Sequence, residues 1–124
     1  MSGEHVHFFF QLRDQLKLYH WQTEVYARHH ATDRFLRRLD KTMDTFVEVY
    51  IGKYGRPTIK GKNATVELHQ MTELRAVRCV DAAVRYLKGP LTKSLRAPVD
   101  MDLMTLRDDM IADLEQLRYL FTLH

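Results

Sequence analysis

Between Leu16 and Phe35 the chain reads LKLYHWQTEVYARHHATDRF, which gathers His20, Trp21, Tyr26, His29, His30 and Asp33 into one short stretch. Imidazoles beside a carboxylate are either packed polar side chains or part of a metal site. Asp40, Asp44 and Glu48 follow downstream. On a helix turning about 100° per residue, with His29 set at 0°, Asp40 falls near about 20°, Asp33 near about 40°, Asp44 near about 60° and Glu48 near about 100°. One imidazole and four carboxylates therefore share a strip that borders the apolar positions Leu36 and Met43. Carboxylates crowded together repel one another, and a cation relieves that repulsion. Mixed imidazole and carboxylate donors suit first-row ions such as Fe(II), Mn(II) or Zn(II) rather than metals that seek thiolates. An ordinary reading exists beside this one. Arg37 lies four residues after Asp33, and Lys41 stands between Asp40 and Asp44, so intrahelical pairs on a solvated face would satisfy the same acids. Spacing alone leaves both readings open. His20 lies on the edge of an apolar stripe, where a histidine packs as readily as it ligates. His30 points about 100° away from His29, toward solvent.

No other constellation competes. Two Glu-x-x-His pairs would mark a di-iron site inside one bundle, and only Glu4 and His7 have that spacing. There is no G-x-S-x-G, no phosphate-binding glycine loop and no Cys-x-x-Cys. Cys79 is the only cysteine, sits beside Val80 and reads as a core residue. With no internal disulfide available, the chain suits a reducing compartment.

Four helices must position these residues. Residues 4–23 carry Phe9, Leu12, Leu16 and Tyr19 at spacings of three and four, and a short turn is expected near Thr23–Tyr26. Residues 27–51 carry Leu36, Leu39, Met43, Phe46 and Tyr50 as a heptad-like seam, ended by GKYGRP. Residues 53–70 form a basic connection. A third helix over 72–88 presents Val77, Val80, Val84 and Leu87, with Arg75, Arg78 and Arg85 on another face, and Gly89-Pro90 is expected to interrupt it. The last helix starts after Asp100 or Asp102, either of which suits an N-cap, and continues through Leu103, Leu106, Met110, Leu114 and Leu117. The expected fold is all-α: one domain over 1–124, a four-helix bundle with a long connection between the second and third helices. In an up-down-down-up bundle that connection is the crossover.

The net charge of +3 conceals an asymmetry. Residues 52–98 carry ten basic and three acidic side chains, whereas residues 99–124 carry two basic and six acidic. Lys53, Arg56, Lys60 and Lys62 in the connection are the candidates for contact with nucleic-acid phosphates. No apolar run approaches the roughly 18 residues of a membrane span. The opening MSGEHVHFFFQLRD lacks the basic-then-apolar order of a signal peptide, so a cytoplasmic setting is expected.

The stretch HWQTEVYARHHATDRFLRRLDKTMDTFVEVYIGKYGRP resembles the signature of Dps-like proteins of the ferritin superfamily. His20-Trp21 is similar to the pair that closes the first helix in that family. His29 and Asp33 correspond to its second His and following Asp, Asp44 and Glu48 to its later Asp-x-x-x-Glu pair, and GKYGRP to its terminal turn. The last helix, LRDDMIADLEQLRYLFTL, is also similar. The chain departs from the pattern in a shorter His20–His29 interval without the customary Gly, and in overall length. It also resembles small uncharacterised proteins of large DNA viruses, which would place it in a virion or infected-cell cytoplasm. The resemblance implies a ferritin-like bundle and a homo-oligomer of at least two copies. It implies that iron is bound and oxidised between subunits, by His20, His29 and Asp33 of one and Asp44 and Glu48 of the other, for iron sequestration or protection from oxidants. Trp21 would then trap stray oxidising equivalents. The alternative is the same fold with its chemistry lost, a structural or nucleic-acid-associated protein using the basic segment 53–96.

Overall fold

A computed structural model describes residues 3–124. Four α-helices account for most of the chain: α1 (Glu4–Gln22), α2 (Tyr26–Tyr54), α3 (Glu73–Tyr86) and α4 (Met101–Leu120). α1 packs on α2 and α3, and α4 packs on the same two. The α1–α2 link needs no glycine, because Thr23 and Val25 both take ordinary extended backbone angles. The Thr23 hydroxyl accepts from the Val25 N–H and donates to the Glu73 carboxylate, which secures the turn to the start of α3. No helix among the described residues is long and apolar enough to cross a membrane.

The chain runs up, down, down, up. After α2 it bends through Gly55, whose φ of 89° lies in the region open to glycine, and a short 3₁₀ turn at Gly61–Ala64. It then returns extended along α1, held by side chains of that helix. His7 Nε2 donates to Thr65 O at 2.8 Å. The Gln11 amide exchanges two hydrogen bonds with the Glu67 backbone, at 2.5 and 3.1 Å, and Gln15 does the same with His69, at 2.7 and 2.9 Å. Gln22 Oε1 then accepts from the Met71 N–H at 3.0 Å. The connection is therefore a fixed crossover rather than a loose loop.

The expected stripes of α1, α2 and α4 face inward, with Phe9, Leu16, Tyr19, Phe46, Leu103 and Leu114 fully covered. Met43 and Leu106 are only half-buried, on the flanks of their stripes. α3 is rotated from the expected face. Ala76, Val80 and Ala83 are buried, whereas Val77 and Val84 are half-covered, because the small side chains let the helix approach its neighbours on that side. Gly89-Pro90 does not interrupt the helical path. Leu87–Leu91 widens into a π-turn, and the Thr92 hydroxyl donates to Leu87 O at 2.6 Å. The wider turn tolerates the proline ring and its missing N–H. Leu87 and Leu91 are fully buried there, so burial rewards the continued helix.

Polar clasps close both ends. At the upper end Arg28 donates to Tyr19 Oη, Glu73 O and Phe121 O at 3.0, 2.9 and 3.0 Å. The Tyr19 hydroxyl itself donates to the Glu73 carboxylate. At the lower end Asp100 occupies the N-cap position of α4, but its buried carboxylate turns elsewhere. It accepts from Tyr54 Oη at 2.6 Å and from Arg96 N at 2.9 Å, with Lys53 Nζ at 3.5 Å. Burial alone would raise the Asp100 pKa; those partners together hold it below the ordinary carboxylate value.

Candidate metal centre

The short link between α1 and α2 brings His20 and His29 together. Their rings stack with centroids 4.0 Å apart and planes 16° from parallel. Each Nδ1 reaches the other residue's backbone carbonyl: His20 Nδ1 to His29 O at 2.8 Å, and His29 Nδ1 to His20 O at 2.9 Å. A carbonyl only accepts, so each Nδ1 carries a proton. In the neutral ring the lone pair is then on Nε2. Neither Nε2 has a hydrogen-bond partner among the described residues, and neither is sealed from solvent. Metal-bound histidines are held in this manner, the second ring nitrogen donating to a carbonyl or carboxylate.

Thr32 completes the clamp and was not legible as part of it. It is fully buried one turn after Arg28, and its hydroxyl donates to Arg28 O at 2.8 Å while standing 2.9 Å from His20 Nδ1. The available signal was a threonine three residues after His29 on the same helix. Burial, and then the neighbouring His29, hold the His20 pKa below its usual value, which keeps the ring neutral. His30 is exposed, edge-on to Tyr26 at 4.4 Å, and takes no part.

The carboxylates divide into two groups. Asp33 pairs with Arg37 at 3.3 Å, the intrahelical pair that the ordinary reading expected, whereas Asp40 pairs not with Lys41 but across to Arg13 of α1 at 2.6 Å. Asp44 and Glu48 are exposed and have no ion pair among the described residues; Lys41 does not reach them. The Asp44 charge, and then a hydrogen bond shared with it, push the Glu48 carboxyl upward. Two adjacent acids are thus left uncompensated. They stand fifteen or more residues along α2 from His29, about 22 Å at 1.5 Å per residue. Accordingly, no group of three potential ligands converges among the described residues of one chain.

The DUF5856 family model matches residues 20–121. The chain belongs to this family of unknown function. The match spans every candidate residue from His20 to Lys62 and reaches Phe121 at the upper clasp. No curated protein and no solved structure matches the chain.

Of the basic candidates, Lys53 is already engaged. Its Nζ lies 2.6 Å from Asp102 Oδ1 and 2.5 Å from Val99 O, so its charge serves the lower clasp. Arg56, Lys60 and Lys62 are exposed and carry no ion pair among the described residues.

Proposed function

We propose that this DUF5856 member is a ferritin-like, Dps-related protein that binds and oxidises Fe(II) between two copies of the chain. The observation that carries the reading is the reciprocal histidine clamp, which fixes two Nδ1–H tautomers and leaves both Nε2 lone pairs without a hydrogen-bond partner among the described residues. Support also comes from the uncompensated Asp44 and Glu48, and from the up-down-down-up topology with its long crossover. Ferritin-like bundles have one such crossover. The donor set is chemically apt for iron as substrate: imidazoles retain Fe(II), and hard carboxylate oxygens favour the Fe(III) product. His20, His29 and Asp33 supply one half of the site, and Asp44 and Glu48 of a second copy supply the other. An antiparallel pairing of two α2 helices about a twofold axis brings these halves together. Trp21 and Tyr26, 67% and 74% exposed beside the clamp, are apolar surface that a second copy would cover.

Anaerobic calorimetric titration with Fe(II), paired with sedimentation for mass, tests this. The expected result is iron binding by a species of at least two chains, followed by oxidation on admitting dioxygen or peroxide. Replacing Asp44 with Asn and Glu48 with Gln should abolish oxidation while the iron-free protein melts at the same temperature or higher, since repulsion is relieved. A strict monomer, or a wild type unaffected by iron in either assay, refutes the proposal.

A second reading rests on Arg56, Lys60 and Lys62, three exposed cations of the crossover that carry no ion pair among the described residues. It makes the chain a structural or nucleic-acid-associated bundle without iron chemistry.

A further inference from the structure

A groove of about 980 Å³ runs between α1, the crossover and α3, on the side of the bundle away from the histidine clamp. Its origin is visible in the packing. α1 and α3 are pinned at the top by Tyr19 and Glu73. They are pinned at the bottom by Phe8, which stacks on Tyr86 at 4.0 Å, and by His5 Nδ1, 2.6 Å from Tyr86 Oη. Between the pins the groove side of α3 carries Cys79, Ala82 and Ala83 below Arg75 and Arg78, and these small side chains leave the gap unfilled. The opposite wall is the crossover, which the Gln11 and Gln15 amides hold in place. The space is therefore framed by fixed elements on three sides, and its volume is that of pockets that hold small molecules, about 300–1,000 Å³.

The groove has a direction. Its floor is apolar, formed by Phe8, Leu12 and Met71. Burial pushes the Cys79 thiol up to about 11, so it acts as apolar wall and not as a nucleophile. Arg75 and Arg78, one turn apart on α3, edge the upper half. Arg75 and Arg78 have no carboxylate within 4.0 Å among the described residues, and Arg75 is steadied by a 2.8 Å bond from Nη1 to Gln70 O. The groove's acids lie lower: Glu67 at the level of Gln11, and Glu4 at the bottom mouth. Lys62 lines the lower half beside these acids and offsets part of their charge, so the two neighbouring cations with no acid beside them are at the upper end, and the aromatic stack of Phe8 and Tyr86 lies at the lower one.

We infer that the groove binds a single-chain amphiphile with an anionic head, the head at Arg75 and Arg78 and the hydrocarbon along Leu12 toward the Phe8–Tyr86 stack. From Glu4 to Gln15 the α1 floor is about 16 Å long at 1.5 Å per residue, which accommodates a medium-length acyl chain. The guanidiniums supply charge-assisted hydrogen bonds to the head, and the chain replaces water over the apolar floor.

Calorimetric titration with dodecanoate below its micelle concentration, with dodecanol as the uncharged control, tests the inference. Dodecanoate is expected to bind once per chain, at least tenfold more tightly than dodecanol. Replacing both Arg75 and Arg78 with Gln should bring the two affinities together. Ala82→Phe should fill the groove and abolish binding of both, with the circular dichroism and melting of the ligand-free protein unchanged, because Ala82 is exposed. Equal affinity of the wild type for acid and alcohol overturns the assignment of the arginines. Undiminished dodecanoate binding by a folded Ala82→Phe variant overturns the groove itself.

Discussion

Replacing Gln15 with Met keeps side-chain length and removes the amide that ties the crossover to α1. Gln15 is only 5% exposed, and it exchanges hydrogen bonds of 2.7 and 2.9 Å with His69. Each such bond contributes about 0.5–1.5 kcal/mol net, so losing both where water enters poorly should cost about 1–3 kcal/mol. For a domain of this size that corresponds to a melting-temperature drop of about 4–12 °C. The same change at Gln11 removes two bonds of 2.5 and 3.1 Å to Glu67, but at the exposed edge, where water substitutes. Its cost should stay below about 1 kcal/mol. Urea denaturation of both variants gives the free energies, and amide hydrogen exchange locates the effect, with His69 N–H expected to lose protection selectively. If the Gln11 variant loses as much stability as the Gln15 variant, or if His69 exchange is unaltered, burial of the amide pair is not what anchors the crossover.

Phe46 is fully buried and meets Phe9 edge-on at 5.5 Å, so Phe46→Ala should cost about 3–5 kcal/mol by chemical denaturation; a loss below about 1 kcal/mol would contradict its place in the core. His5 is buried between Tyr86 Oη and Ser94 Oγ, and burial lowers its pKa while Glu4 partly opposes the shift. The unfolded chain therefore takes up the proton first. The stability from the neutral ring should be complete above pH 6.5 and lost as pH falls through the lower folded-state pKa, so the urea midpoint should fall over that window less steeply in His5→Gln than in the wild type. If Arg56, Lys60 and Lys62 contact duplex DNA phosphates, a salt titration of binding should give a log–log slope of about −2.7, and Lys53→Gln should leave that slope unchanged while lowering stability.

The periodic apolar residues made the four helices legible, because a stripe at three and four has one folded meaning. Phe46, Leu16 and Leu114 are buried where their stripes put them. The face of α3 was only half legible: Val80 and Leu87 are buried as expected, but Ala76 and Ala83, rather than Val77 and Val84, complete the close approach, and alanine carries little hydrophobic signal. The π-turn at Leu87–Leu91 was hidden by Gly89-Pro90, since the burial of two flanking leucines outweighs a local break only once the fold is formed. The path of the crossover was not legible because its partners are side chains of a distant helix, Gln11 and Gln15 among them, and no local pattern within residues 65–71 announces them. In the candidate site, the residue types and the strip on α2 were readable. The reciprocal use of backbone carbonyls by His20 and His29 was not, because it depends on the exact path of a three-residue link.

The ladder between α1 and the crossover is a vernier between two different repeats. Four helical residues rise about 6.0 Å, and two extended residues span about 6.6 Å, so successive rungs stay nearly level. Their directions do not, because each step of four turns the helix a further 40° or so. His7, Gln11 and Gln15 therefore fan round the helix by about 80°, and the next step, Tyr19, has swung into the core. The chain is caught instead by Gln22, whose step of seven brings it back to about 60°. A straight peptide can thus be read by one helix for only three rungs before a residue from another phase must take over. Adding one residue between Thr65 and Met71 would present the opposite backbone edge to every rung above it, so the crossover's register is locked as firmly as that of a paired strand.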